Sequence, residues 1–183
     1  MKFIKTELEG VIIIEPNVFP DDRGYFFESY NQKKYKEENL NLEFVQDNIS
    51  KSKKGTIRGL HYQIGKSAQG KLCQVLCGCV LDVAVDIRFG SPTFGKYVSV
   101  ELSEDNHRQV WIPPGFAHGF SVLSDFAVFH YKCTALYDKA SERAILYNDK
   151  DLNIDWKTEK EFVSEKDKPA TEFKLIDKDF IYK

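Results

Sequence analysis

Four cysteines, six prolines and one methionine in 183 residues leave several architectures without their raw material. The cysteines are Cys73, Cys77, Cys79 and Cys133. They do not form the paired Cys-x-x-Cys knuckles of a structural zinc site, and all four are expected to be reduced and packed. No apolar run approaches the roughly 20 residues that a membrane-spanning helix requires. The start, Met1-Lys2-Phe3-Ile4-Lys5-Thr6, lacks the long apolar stretch and small-residue cleavage site of a signal peptide, so the cytoplasm is the expected compartment. Excess positive charge is missing too. A formal net charge of -2 supplies no global field for nucleic acid, and a small anionic ligand must be held by local cations.

What is present is a core-forming chain. Hydrophobic residues make up 42% and aromatics 14% of it, which argues against disorder and suffices for one domain. No internal repeat, low-complexity tract or second domain is evident, so residues 1–183 are expected to form a single domain with 170–183 peripheral. Period-two alternation dominates. In Leu81-Asp82-Val83-Ala84-Val85-Asp86-Ile87 the odd positions read as a core face and the even ones as a face that tolerates carboxylates. Tyr97 to Leu102 alternates as well. So does Phe126 to Thr134, where Phe129, Tyr131 and Cys133 share a face opposite His130. Cys73 and Cys77 share strand parity, and Gly78 turns the chain before Cys79.

Turn clusters separate these runs at Pro20–Gly24, Phe89–Pro92, Ser103–Asn106 and Pro113–Gly115. Many short strands with such punctuation predict an all-β sandwich or barrel. Short peripheral helices are expected at Asn31–Asn39 and Thr158–Val163. From Ser141 onward the chain is more polar. The apolar run Val11-Ile12-Ile13-Ile14 is a poor candidate for an exposed edge and is expected to pair with a second chain.

Chemistry concentrates in a few places. The strand-like Gly55-Thr56-Ile57-Arg58-Gly59-Leu60-His61-Tyr62-Gln63 carries an arginine, two interior glycines' worth of freedom around it, and a histidine. Downstream lie Lys71, the Gly-bounded turn holding His118, Tyr131, and the run Ser164-Glu165-Lys166-Asp167. A base, a cation, an acid and a carboxylate together suit proton abstraction beside a carbonyl. Each has a plainer alternative: a strand-end histidine in the core, an edge lysine that discourages aggregation, a core tyrosine, a packed turn. His107 and His130 read as surface or outer-face residues. Strict alternation places Arg58 and His61 on opposite faces of their strand, unless a bulge at Gly59 resets it.

Six motifs then occur in order: Gln46-Asp47-Asn48, Arg58-Gly59-Leu60-His61-Tyr62-Gln63, Gln69-Gly70-Lys71-Leu72, Asp82-Val83-Ala84-Val85-Asp86, Ser91-Pro92-Thr93-Phe94-Gly95 and Gly115-Phe116-Ala117-His118-Gly119-Phe120. Through them the chain resembles the dTDP-4-dehydrorhamnose 3,5-epimerase family from Phe3 to near Pro169. The resemblance implies a cupin-type jelly roll, a homodimer with shared sites, and no metal or other cofactor. The implied substrate is dTDP-4-dehydro-6-deoxy-D-glucose, inverted at C3 and C5 to dTDP-4-dehydro-L-rhamnose for polysaccharide synthesis. It further implies His61 as base with Asp167 as its partner, Lys71 on the enolate, and Tyr131 as acid on the opposite sugar face. Implied substrate-binding residues are Phe19, Arg23, Phe26, Glu28, Gln46, Asn48, Arg58, His118, Glu142 and Lys166. Of these, Phe19 and Phe26 are suited to stack on thymine, and Arg23, Arg58 and Lys166 to hold phosphate.

The departures are Pro114, where many relatives have Glu, a short segment after Asp167, and Thr171 to Lys183, which has no clear counterpart. Three alternatives stay open. A metal-dependent cupin needs a second histidine where Gln63 stands. A sugar-binding jelly roll needs no catalysis. An epimerase of one carbon, or of a related nucleotide 4-keto sugar, shares the same catalytic set.

Overall fold

The alternating segments fold as strands, separated by the turn clusters. The computed structural model describes residues 1–182; the last residue of the expected domain, Lys183, lies outside the described residues. In chain order come β1 (Lys2–Lys5), β2 (Ile12–Glu15), β3 (Phe19–Asp21), β4 (Gly24–Phe26), the helix α1 (Gln32–Glu37), β5 (Gln46–Lys53), β6 (Ile57–Gln63), β7 (Lys71–Cys77), β8 (Cys79–Asp86), β9 (Tyr97–Ser103), β10 (Gln109–Ile112), β11 (Phe116–Val122), β12 (Phe126–Cys133) and β13 (Glu142–Ala144). Among the described residues these form a six-stranded sheet, β1-β2-β10-β7-β12-β5, a five-stranded sheet, β13-β6-β11-β8-β9, and a separate ribbon, β3-β4. All strand pairings within the sheets are antiparallel. The two larger sheets face one another as a double-sheet jelly roll.

Between the sheets, Val80, Ala84, Val100, Leu102 and Phe120 meet Cys73, Val110, Ala127 and Phe129. The Phe120 and Phe129 rings stack with centroids 4.2 Å apart. Burying each such side chain contributes about 1.5–3 kcal/mol. This apolar floor closes one end of the space between the sheets and leaves the other end to polar residues.

Strand β8 corrects the two-faced reading of its pattern. Its odd residues Leu81, Val83 and Val85 do not face the opposite sheet. They pack outward, with Ile87, beneath Leu152, Trp156 and Phe173 of the C-terminal segment. The even residues point between the sheets, and Asp82 and Asp86 are fully buried there. Each is satisfied by the protein, as a buried carboxylate must be. Asp86 accepts from Arg88, Ser91 and Thr93, which ties down the Ser91–Gly95 turn. Asp82 meets His118. The C-terminal segment thus covers the outer face of the five-stranded sheet. It is pinned where Phe89 N donates to Phe180 O at 2.8 Å and Tyr182 N to Phe89 O at 2.9 Å.

The first expected helix forms and the second does not. Asn31 caps α1 by accepting from Lys33 N and Lys34 N. Tyr35 buries itself from α1 against the outer face of the six-stranded sheet and donates to Gln109 Oε1 at 3.0 Å. Thr158–Val163 forms bends and a single bridge residue instead. Its backbone is spent on a bridge to the start of β6, with Ile57 N donating to Phe162 O and Phe162 N to Gly55 O. The expectation that Val11–Ile14 pairs with a second chain is also corrected. Strand β2 lies between β1 and β10 of its own chain, so its apolar residues need no second chain, and the sheet edge is the lysine-bearing β1.

Candidate active site

A bulge in β6 decides which side chains meet. His118 pairs with His61 and Phe120 with Arg58, so two steps along β11 span three along β6. The additional residue resets the alternation, and Arg58 and His61 open into one cleft. Gly59 makes this possible. Its φ is +120°, and a Cβ there would lie 2.5 Å from Gly119 Cα, so no other residue fits without displacing the backbone.

The cleft lies between the sheets and measures about 580 Å³. Asn48, Arg58, His61, Lys71, His118, Tyr131, Lys166 and Asp167 all line it. Residues more than 100 positions apart in the chain therefore share one space. A separate, more open hollow of about 760 Å³ has Phe44, Gln46, Asp47 and Lys132 among its lining residues. None of the four catalytic candidates lies there.

On the five-stranded wall the polar groups are already paired. His61 Nε2 and Asp167 Oδ1 are 2.7 Å apart. Asp167 is buried in the turn after Ser164, whose Oγ accepts its backbone N–H at 3.2 Å. Burial works against the Asp167 charge, but the hydrogen bond and charge of His61, with help from Ser164, bring its pKa below the ordinary carboxylate value. Deeper in the wall, His118 Nε2 lies 2.9 Å from Asp82 Oδ2 and 3.8 Å from Cys73 Sγ. Burial lowers the His118 pKa and the Asp82 carboxylate opposes this. Arg58 Nε donates to Ser52 Oγ at 3.0 Å, leaving the rest of the guanidinium at the rim.

The six-stranded wall is built by register. Asn48 stands opposite Tyr131 and Tyr131 opposite Cys73; Gln46 stands opposite Cys133 and Cys133 opposite Lys71. All six side chains therefore share the inner face. Burial lowers the Lys71 pKa, while Cys73, Cys133, Asp82 and Glu142 oppose the shift. Burial, then the neighbouring Cys133 and Cys73, push Tyr131 up to about 12. The Lys71 Nζ sits 5.9 Å from the Tyr131 ring centroid. Among the described residues neither the Lys71 ammonium nor the Tyr131 hydroxyl has a protein hydrogen-bonding partner. Both point their polar ends at the cleft.

At the rim, Lys166 Nζ and Glu142 Oε2 lie 2.6 Å apart, and Tyr137 OH donates to the same carboxylate oxygen at 3.0 Å. Desolvation raises the Glu142 pKa, but the Lys166 and Tyr137 hydrogen bonds outweigh it and bring it down. Tyr137 N also donates to Gln46 Oε1 at 2.8 Å, and Gln46 Nε2 donates to Asn48 Oδ1 at 3.0 Å. Tyr137 and the buried Asp82 are the residues that sequence reasoning passed over. Tyr137 stands outside every motif, and Asp82 read as a strand face rather than a partner of His118.

Gln46 and Glu142 border the cleft through Asn48 and Lys166 without lining it, and four further expected binding residues lie away from it. Phe19 and Phe26, on the β3-β4 ribbon, are 60% and 66% exposed. Arg23, at the ribbon's tip, pairs with Asp21 at 2.6 Å. Glu28 pairs with Lys34 and accepts from Asn31.

A family model described as dTDP-4-dehydrorhamnose 3,5-epimerase matches residues 5–174. The chain belongs to the dTDP-4-dehydrorhamnose 3,5-epimerase family. It is 55% identical to the Shigella flexneri member over 181 residues, 98% of this chain and 99% of that one. The crystal structure of the Legionella pneumophila enzyme in complex with dTDP-4-keto-L-rhamnose superposes with a TM-score of 0.94 at 52% identity, covering 100% and 98% of the two chains. A 3′-monoepimerase from Streptomyces bikiniensis, in complex with dTDP-quinovose, shares the fold with a TM-score of 0.88 but only 29% identity, over 93% of this chain and 87% of that one. The family thus places this chain among the epimerases, and its fold among the cupin-type jelly rolls.

Proposed function

We propose that the chain epimerises dTDP-4-dehydro-6-deoxy-D-glucose at C3 and C5, giving dTDP-4-dehydro-L-rhamnose. The observation that carries this reading is the His61–Asp167 pair, 2.7 Å apart, in the same cleft as the unpaired Lys71 and Tyr131. A proton alpha to a ketone is weakly acidic, so the site must take it and hold the enolate that remains. His61 takes the proton. Asp167 fixes the ring and favours the imidazolium as it forms. Lys71 meets the C4 oxygen as it gains negative charge. Tyr131, from the opposite sheet, returns a proton to the other sugar face. A tyrosine phenol is protonated at neutral pH, and an enolate carbon is basic enough to take that proton. His118 orients the sugar from the floor. Arg58 and Lys166 are placed for the two phosphates, with Arg58 offering a planar fork. Asn48 lines the nucleotide end, with Gln46 and Glu142 behind it as the partners of Asn48 and Lys166. No step draws on a metal or other cofactor.

The outlying residues are read through a second copy of the chain. Phe19, Tyr25 and Phe26 are each more than half exposed on the ribbon, a costly arrangement for a short two-stranded element. In a homodimer the ribbon brings Phe19, Arg23, Phe26 and Glu28 to the partner's cleft, where the aromatics stack on thymine. The protein acts in the cytoplasm, with no nucleic acid or membrane partner. No helix among the described residues is long and apolar enough to cross a membrane.

Product analysis by NMR tests the assignment. With dTDP-4-dehydro-6-deoxy-D-glucose, inversion at both carbons is expected. Inversion at one carbon moves the chain to the monoepimerase reading. Binding without turnover makes it a sugar-binding jelly roll. A strictly monomeric mass at full activity removes the shared site.

A further inference from the structure

Cys73 has no part in the chemistry proposed above, yet it is buried directly behind the cleft-lining His118, beside two other metal-type donors. The Cys73 sulfur, a carboxylate oxygen of Asp82 and a ring nitrogen of His118 all lie within 4.8 Å of one another. His118 Nε2 is the shared vertex, 2.9 Å from Asp82 Oδ2 and 3.8 Å from Cys73 Sγ. The three come from β7, β8 and β11, and His118 is held in strand register opposite both His61 and Ala84. The cluster therefore rests on strand backbone, not on a loop.

We propose that Cys73, Asp82 and His118 form a binding site for a thiophilic divalent cation of the zinc or cadmium kind, and that filling it blocks the cleft. Thiolate, imidazole and carboxylate are the donors zinc prefers, at about 2.3, 2.0 and 2.0–2.2 Å. Two tetrahedral ligands at such lengths stand about 3.3–3.5 Å apart. The sulfur–nitrogen distance closes slightly to reach this and the nitrogen–oxygen distance opens slightly. On binding, the metal–sulfur bond replaces the thiol S–H bond and the proton passes to solvent. The His118–Asp82 hydrogen bond is exchanged for two metal bonds, the proton on Nε2 moving to Nδ1 so that a neutral imidazole binds the cation through Nε2. A thiolate and a carboxylate then balance the two positive charges, so the filled site is neutral among Val110, Phe120 and Phe129, where a net charge would be costly. His118 lines the cleft together with Lys71, so the fourth position is assigned to water or a sugar oxygen from the cleft. The filled site no longer offers its Asp82 negative charge to the Lys71 ammonium and takes His118 away from the sugar, so turnover falls.

The inhibitory half of the proposal rests on the function proposed above; the binding half does not. Cobalt(II) titrated into the purified full chain, with a phosphine reductant, reads the site directly. One equivalent is expected to give a thiolate-to-cobalt charge-transfer band and tetrahedral d–d absorption, both removed by zinc. Cys73→Val, close in size, should lose the charge-transfer band, while Cys77→Ser and Cys79→Ser keep it. A wild-type spectrum without a thiolate band, or a band that persists in Cys73→Val, overturns the site. Should Cys73→Val not fold, the wild-type spectrum together with Asp82→Asn decides the same question. In turnover assays zinc should inhibit the wild type reversibly on chelation. Cys73→Val should keep its activity and need at least the about 10- to 100-fold more zinc that loss of an outer-shell partner already costs. Cobalt binding with no inhibition by zinc keeps the site and overturns the block.

Discussion

The two walls of the cleft differ in how much of their polarity is already used. On the five-stranded wall, His61 is bound to Asp167, His118 to Asp82 and Arg58 to Ser52. On the six-stranded wall, Lys71 and Tyr131 have no protein partner among the described residues. The difference follows from what each group is proposed to do. A base must be aimed and its tautomer fixed before the substrate arrives, and a carboxylate does both. A group that meets charge as it develops is best left free, because a protein partner would compete with the transition state for it. One wall is built in advance and the other is completed by the sugar.

Removing the base should break this asymmetry most severely. His61→Ala is expected to lower turnover about 10²–10⁴-fold. In heavy water it should also abolish solvent exchange at both C3 and C5, since no enolate forms. Tyr131→Phe should keep more exchange than net inversion, because His61 can return a solvent-derived proton to the original face. Exchange at the wild-type rate in His61→Ala, or normal inversion in Tyr131→Phe, would reverse the roles of the two walls.

Lys71→Met tests the free cation. It should lower kcat about 10²–10³-fold, the usual loss for one oxyanion donor, with a smaller change in KM. An effect confined to KM would make Lys71 a ground-state binder.

The pre-paired wall can be sharpened through acid stability. The folded pKa of Asp167 is held below its unfolded value, which is about 3.9. The contribution to stability is therefore complete above about pH 5 and is lost as pH falls through the lower, folded value. The gap in melting temperature between wild type and Asp167→Asn should shrink as pH falls from about 5 through the folded value. A gap that persists unchanged in acid would mean that the pair adds packing rather than charge. The smallest expected effect is none: dialysis against a strong chelator should leave turnover intact. A loss restored by one added metal would sink the metal-free chemistry.

Much of this protein is written locally. Alternation in Tyr97–Leu102 and Phe126–Thr134 appears as β9 and β12, and Gly78 turns the chain between Cys77 and Cys79 as its position suggests. Such features depend only on side-chain parity and on which residues tolerate positive φ. The motifs around Lys71 and His118 pointed to a site only through the family resemblance, since an edge lysine or a turn histidine is ordinary by itself, and the structure brings both into one cleft with His61.

What the tertiary structure decided are matters of partnership. Alternation in β8 could not say which face is inside, because both faces are buried, one under the C-terminal segment and one between the sheets. The helical look of Thr158–Val163 yielded to a bridge with Gly55–Ile57. Asp167 reaches His61 across 106 positions, and Asp82 becomes the partner of His118 only when β8 and β11 pair. The bulge that turns Arg58 toward His61 needs the close passage of Gly59 over Gly119. Periodicity reports the near neighbours of a residue along one strand. Who stands across a sheet, or across the space between two sheets, is set by register and closure, which no local pattern contains.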